Sequence, residues 1–305
     1  MDKFHQQIPG LQRDMLDSIM EQLKRLDLDG AGNLKSTVAN IKIMSSIKSK
    51  LTRLVLNDDY LASVKEFAQT FNSLATLQNE YWHSVEKTFK PKPLLREIRI
   101  QAIADTVTSL TENGIGTNIS DNISAILRQN ITSGGSYKSL TKQLTETLSD
   151  TQRSDGLLTR YTRQITTDSI NQYNAQYTQA VSADLGYEWF AYQGSDIKTT
   201  RPFCDAMTDF RYFHISEVPR LLAAEGLTYK NRKTGKVEPV PIYAKTGLPA
   251  GMIAGTNAAN FFVNRGGYNC EHQIRPVSEG LVPADIHARV KSTPEYASWK
   301  KLNGA

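Results

Sequence analysis

A chain of 305 residues with 39% hydrophobic content is long enough for two domains with a core in each, and too apolar to be disordered. Its formal net charge of +5 and pI near 9.0 are mildly basic, but the Lys and Arg residues form no dense run, so nucleic acid is allowed as a partner and not demanded. The start, MDKFHQQIPGLQRDML, has no apolar core behind a basic end, and no apolar run is long enough to span a bilayer. A cytoplasmic chain without a membrane partner is expected, in which the two cysteines would not form a structural disulfide.

From Leu11 to about Lys90 apolar residues recur at helical spacing. Leu16, Ile19, Leu23 and Leu26 mark one face, and Ile43, Ile47, Leu51 and Leu54 a second. The longest stretch runs from Asp59, a predicted N-cap, through Val64, Phe67, Phe71, Leu74, Tyr81 and Val85. DGAGN at 29–33 separates the first two helices. KPKP at 90–93 ends the third, because a proline disfavours helical geometry in the residue before it.

Shorter helices follow at about Leu95–Asn113 and, after an NGIGTN loop, at Asp121–Thr132. SGGSYKSLTKQLTETL then predicts a glycine stop, Ser136 as a cap, and Tyr137, Leu140, Leu144 and Leu148 as a buried stripe. Another long helix fits Gly156 to about Leu185, with Tyr161, Ile165, Tyr173, Tyr177, Val181 and Leu185 inward and a glycine stop in LGY. Those tyrosines read as core in preference to a base-stacking platform.

Composition changes after that helix. YEWFAYQG is aromatic and β-prone, so Tyr187–Gln193 is expected to be a strand leading into a TTRPFC turn. YKNRKTGKVEPVPIY predicts a hairpin turning at Thr234 and Gly235, and PAGMIAGTNAANFF a loop. RGGYNCEHQIRPV reads as a glycine turn opening a short strand, and residues 291–305 as a tail held by Tyr296 and Trp299. The fold class expected is mainly α, with a small α+β C-terminal domain.

The two cysteines sit in TTRPFC and NCEH. A Cys-x-His pair on an extended strand places both side chains on one face, and zinc favours sulfur and imidazole ligands. Cys204, Cys270, His272 and His214 are therefore the candidate metal ligands, for a structural Zn2+. Against that stands plain packing, with both thiols as small buried hydrophobes and His214 as a surface residue ahead of a Ser216 cap. A nucleophilic Cys270 has no visible acid to orient its histidine partner.

Asp196, Thr200, Arg201 and Pro202 predict a rigid corner. The Arg201 fork would bond the Asp196 carboxylate and backbone carbonyls together, although a phosphate or substrate contact would use the same group. Gly266 and Gly267 serve a turn with positive φ and, with no helix following, no phosphate cradle. The front helices lack inward carboxylates or histidines and read as an interaction surface.

In order, YNAQYTQAVSADLGY, an aromatic strand, D-x-x-T-T-R-P-F-C, a Phe, a Glu and GGYNCEHQIRP resemble the phage Mu F-like minor head protein family, also called phage head morphogenesis proteins. The likeness covers roughly 120–280, with SGGSYKSLTKQL similar to the family's lead-in helix. Its motifs fall on Asp196, Thr200, Arg201, Pro202, Cys204, Cys270 and His272. The chain departs from the pattern with Glu271 where an arginine is usual, with a long insertion, and with a histidine at 214 that the family does not hold.

Helical spacing and the KPKP stop give an N-terminal helical region at 1–92, which matches no part of that family, and a connecting region at 93–155. The resemblance implies a Mu F-like domain at 156–290 with an insertion at about 218–264, followed by the tail at 291–305. It implies a non-enzymatic virion protein of a tailed phage, made in the host cytoplasm and held in the capsid interior near the portal. Such a protein would bind portal or major capsid protein, with weak non-specific DNA contact, and act in head assembly or in DNA packaging and delivery. The alternative is a metal-dependent nuclease of the treble-clef kind.

Overall fold

The computed structural model describes residues 2–151 and 154–303, so the last two residues of the expected tail lie outside it. The chain is mainly helical, with small antiparallel sheets confined to its C-terminal half. It divides into two compact units, one of residues 1–81 and 99–167, the other of 82–98 and 168–305. No described helix is long and apolar enough to cross a membrane.

In the first unit α1 (Asp2–Leu23) packs on α2 (Val38–Val55), and α6 (Asp121–Ser133) and α7 (Tyr137–Leu148) pack on that pair. The buried stripe of α1 extends further forward than expected, to Phe4 and Ile8, and continues through Met15, Ile19 and Leu23. On α2 the buried positions are Asn40, Ile47, Leu51 and Val55. Asn40 is tolerated inside because its side chain bonds the Asp27 amide and the Asp27 and Lys35 carbonyls, stitching the preceding loop.

The long helix α3 (Asp58–Val85) is capped by Asn57, whose Oδ1 accepts the Tyr60 amide at 2.9 Å. Asp58 and Asp59 instead occupy its first turn, where a carboxylate opposes the positive end of the helix dipole. The α4 helix (Pro93–Leu110) starts on Pro93 itself, since a proline needs no amide partner at the first helical position. Its end is closed by two phenols, with Tyr60 donating to the Leu110 carbonyl and Tyr161 to that of Ser109.

NGIGTN is not the predicted loop. Short α5 (Glu112–Ile115) runs through a π-helical segment, Gly116–Ser120, into α6, because Ile115 and Ile119 are both fully buried and hold the chain helical. Ser136 caps α7 as expected, accepting from Ser139, and Leu140, Leu144 and Leu148 form its core stripe. The long α8 (Leu157–Asp184) buries Thr162 and Thr166 as well as Tyr173 and Tyr177, while Tyr161 is half-buried. Both threonine hydroxyls donate to the carbonyl four residues back, so burial leaves neither of them unmatched.

In the second unit, β1 (Trp189–Gln193) is the centre of a three-stranded antiparallel sheet between β2 (Tyr212–His214) and β7 (Gln273–Val277). Side chains alternate along β1, so the sheet has two differently occupied faces. Phe190 and Tyr192 enter the larger core with Phe203, Met207, Phe213, Phe261 and Ile274. Trp189 faces the smaller one with Val282 and Val290.

Between β2 and β7 the chain forms α10 (Val218–Leu222), two small hairpins and α11 (Phe261–Asn264). The first hairpin, β3 (Thr228–Lys230) with β4 (Val237–Pro239), carries Gly235 at φ +70°, in the turn the sequence indicates. The second, β5 (Ile242–Tyr243) with β6 (Leu248–Pro249), lies in part within the stretch read as a loop. This segment also supplies Leu221, Val240, Phe261 and Phe262 to the larger core. Beyond β7, α12 (Ala284–Lys291) and α13 (Pro294–Asn303) make the tail helical.

Candidate metal centre

A turn over Ile197–Thr200 follows β1, and TTRPFC runs from its end directly into a helix. Pro202 opens α9 (Pro202–Phe210), so Cys204 lies in its first turn, buried at 2% exposure. The corner ahead of it is closed within itself, Thr200 Oγ1 accepting the Ile197 amide at 2.8 Å. Arg201 does not pair with Asp196, which is salt-bridged to Arg232. Its guanidinium donates instead to the carbonyls of Gly266, at 3.0 Å, and Tyr268. The fork clamps one cysteine motif to the backbone of the other.

Cys270 and His272 are not on a strand either. β7 begins one residue later, and the approach to it has positive φ at Arg265 (44°), Gly267 (100°) and Asn269 (54°), which a strand cannot contain. The tight turn brings Cys270 Sγ to 3.9 Å from His272 Nδ1 and 3.9 Å from Cys204 Sγ. Asp168 holds it from α8, accepting the Asn269 amide at 2.7 Å.

The ligand atoms of Cys204, Cys270 and His272 all lie within 4.8 Å of one another, and all three residues are buried. This cluster could hold a metal ion. Gly266 keeps its centre open: a Cβ there would stand 2.1 Å from Cys204 Sγ and 3.1 Å from Cys270 Sγ. So Gly267 alone of the pair serves positive φ, and Gly266 serves close approach. Gly194 does the same for His272, whose ring a Cβ would meet at 2.3 Å.

Tyr192, which the sequence reading did not single out, reaches the same point from β1. Its hydroxyl lies 3.4 Å from Cys204 Sγ and 3.7 Å from Cys270 Sγ, and its ring stacks on His272. Alternation along β1, with Phe190 and Tyr192 on one face, was the available signal.

The two thiols are unequal. The Cys204 hydrogen bond, with help from His272 and the Arg265 guanidinium, favours the thiolate at Cys270 and pushes its acidity up. Cys204, burdened by that neighbouring sulfur and by burial, is driven the other way. A thiolate is the form in which sulfur binds metal, and these surroundings favour it at Cys270 over Cys204.

His214 is not the fourth ligand. It pairs with Trp189 across β1 and β2, and alternation puts it on the face opposite Tyr192 and the cysteines. There it is fully buried among the rings of Trp189, Tyr296 and Trp299, and its Nδ1 accepts the Ser216 amide as a helix cap. Comparison with protein-family models, with curated proteins and with solved structures finds no match.

Proposed function

We propose that this chain is a structural minor head protein of a tailed phage, of the Mu F-like kind, held in the capsid interior near the portal and acting in head assembly or DNA packaging and delivery. The observation that carries the reading is the meeting of the two resembling motifs. Residues 196–204 and 265–272, some sixty positions apart, build one clasp through Arg201 and the thiols. A set of residues that shares a single structural task accounts for why these types occur together.

The ion in that clasp is zinc on this reading, because two thiolates and an imidazole are the donors zinc favours. Bound there, it would supply a cross-link between the first turn of α9 and the turn before β7. The clasp residues do the rest: Arg201 fixes the backbone, Gly266 leaves the space, and the surrounding phenylalanines exclude water. The nuclease alternative needs DNA to reach His272. That side chain is 6% exposed, stacked against Tyr192 and packed close to Gly194, which favours a structural task.

Binding to a purified portal ring tests the proposal. Co-sedimentation of the full chain with the ring, together with its presence in heads lacking tails, is the expected outcome. A chain that does neither, or that cuts DNA with magnesium or manganese in a manner abolished by His272→Ala, would remove the structural reading.

A further inference from the structure

We infer that Tyr192 is the fourth ligand of this metal centre, its phenol oxygen completing a donor set with Cys204 Sγ, Cys270 Sγ and His272 Nδ1. The inference deepens the zinc reading above and rests on it.

Four of the six separations among these atoms are 3.4, 3.7, 3.9 and 3.9 Å, and the ligand atoms of Cys204 and His272 lie within 4.8 Å of each other. A regular tetrahedron with edges like those four has its centre about 2.1–2.4 Å from each corner, within the span of zinc bonds to sulfur, nitrogen and oxygen. The phenol oxygen also joins the two sulfurs around the space that Gly266 leaves, since a Cβ at that glycine would stand 3.3 Å from it. Three donors and one void therefore point at the same place from three segments of the chain.

Charge supports the same assignment. Two thiolates and a phenolate around a divalent ion carry one net negative charge. Arg265, in the turn that leads to Cys270, is buried at 5% exposure, and the Arg201 guanidinium lies against the Gly266 and Tyr268 carbonyls of the same turn. A buried trianionic set beside two guanidiniums is compensated, as buried charge requires. In coordination the metal accepts a lone pair from each donor, and the phenol and thiol protons leave to solvent.

The test is near-ultraviolet difference spectroscopy of the reduced full-length chain, titrated with zinc alone at neutral pH, for wild type and Tyr192→Phe. The expected result is one zinc per chain with the appearance of one phenolate per chain in the wild type, and no phenolate signal in the variant. The variant should bind about 10–100-fold more weakly, but loss of a hydrogen bond to a ligand would do as much, so the phenolate signal decides. Zinc bound by the wild type with no phenolate overturns the role of Tyr192 and leaves the three-residue site. No zinc bound at all overturns both. The wild-type spectrum is sufficient should the variant not fold.

Discussion

Gly266 shows how much one side chain decides here. A methyl group at that position would be driven into Cys204 Sγ at 2.1 Å, and the sulfur is pinned on its other sides by Tyr192 and Cys270. Gly266→Ala is expected to cost about 1–3 kcal/mol, the usual range for forcing extra volume into a packed core. It should also abolish stoichiometric metal uptake. Gly280→Ala is the control, because a Cβ there meets nothing within 4 Å. Urea unfolding and metal analysis of the two variants would show the contrast, and equal behaviour would mean that the clasp relaxes freely. Which residues carry sulfur chemistry was legible in the sequence. That Gly266 mattered for space was not, because its neighbour Cys204 is 62 positions away.

Among the elements, the three-stranded sheet separates two jobs that the sequence could not keep apart. Its larger-core face carries the cysteine clasp and its other face carries His214, against which α13 lays Tyr296 and Trp299. Burial lowers the His214 imidazole from the ordinary 6.5 to about 4. The folded value lies below the unfolded one, so the unfolded chain takes up its proton first as acid is added. Stability from this site is complete above about pH 6.5, falls between there and about pH 4, and changes no further below. Thermal midpoints followed by tryptophan emission should decline across that window, and His214→Asn, which retains a capping acceptor, should flatten the decline. An unchanged slope in the variant would assign the acid sensitivity to other groups. The same face holds Glu217, 1% exposed, which accepts from the His214 amide and from Arg220 and Arg289. A buried carboxylate with three donors is a clasp of its own, tying α12 to the end of β2.

At the scale of the molecule, the two compact units make a metal effect separable. All donors of the candidate centre lie in the unit containing residues 168–305, and so do all three tryptophans, Trp82, Trp189 and Trp299. Metal binding and folding share their free energy, so a chelator should loosen this unit first. Tryptophan emission should shift, and amide exchange should accelerate over residues 189–214 and 261–277. Amides of α1, α2, α6 and α7 should keep their protection. Simultaneous loss in both units would show that the ion is not a local clasp.

What the sequence determined by itself was whatever depends on neighbours in the chain: the leucine stripe of α7, the first half of the α3 stripe at Val64, Phe67 and Phe71, the Ser136 cap, the glycine stop after α8 and the aromatic strand β1. Further along α3 the stripe passes to Ala75 and Trp82 and leaves Tyr81 and Val85 exposed. The sequence also singled out Cys204, Cys270 and His272, since thiols and imidazoles are rare enough to be noticed. Tertiary structure alone decided the rest. Strand pairing sent His214 to the far face, and a salt bridge to Arg232 took Asp196 away from Arg201. The glycine turn read ahead of the last strand runs on through Cys270 and His272, so that the strand begins only at Gln273. These outcomes depend on groups tens of residues apart competing for the same partner, and such competition leaves no local pattern for a sequence to display.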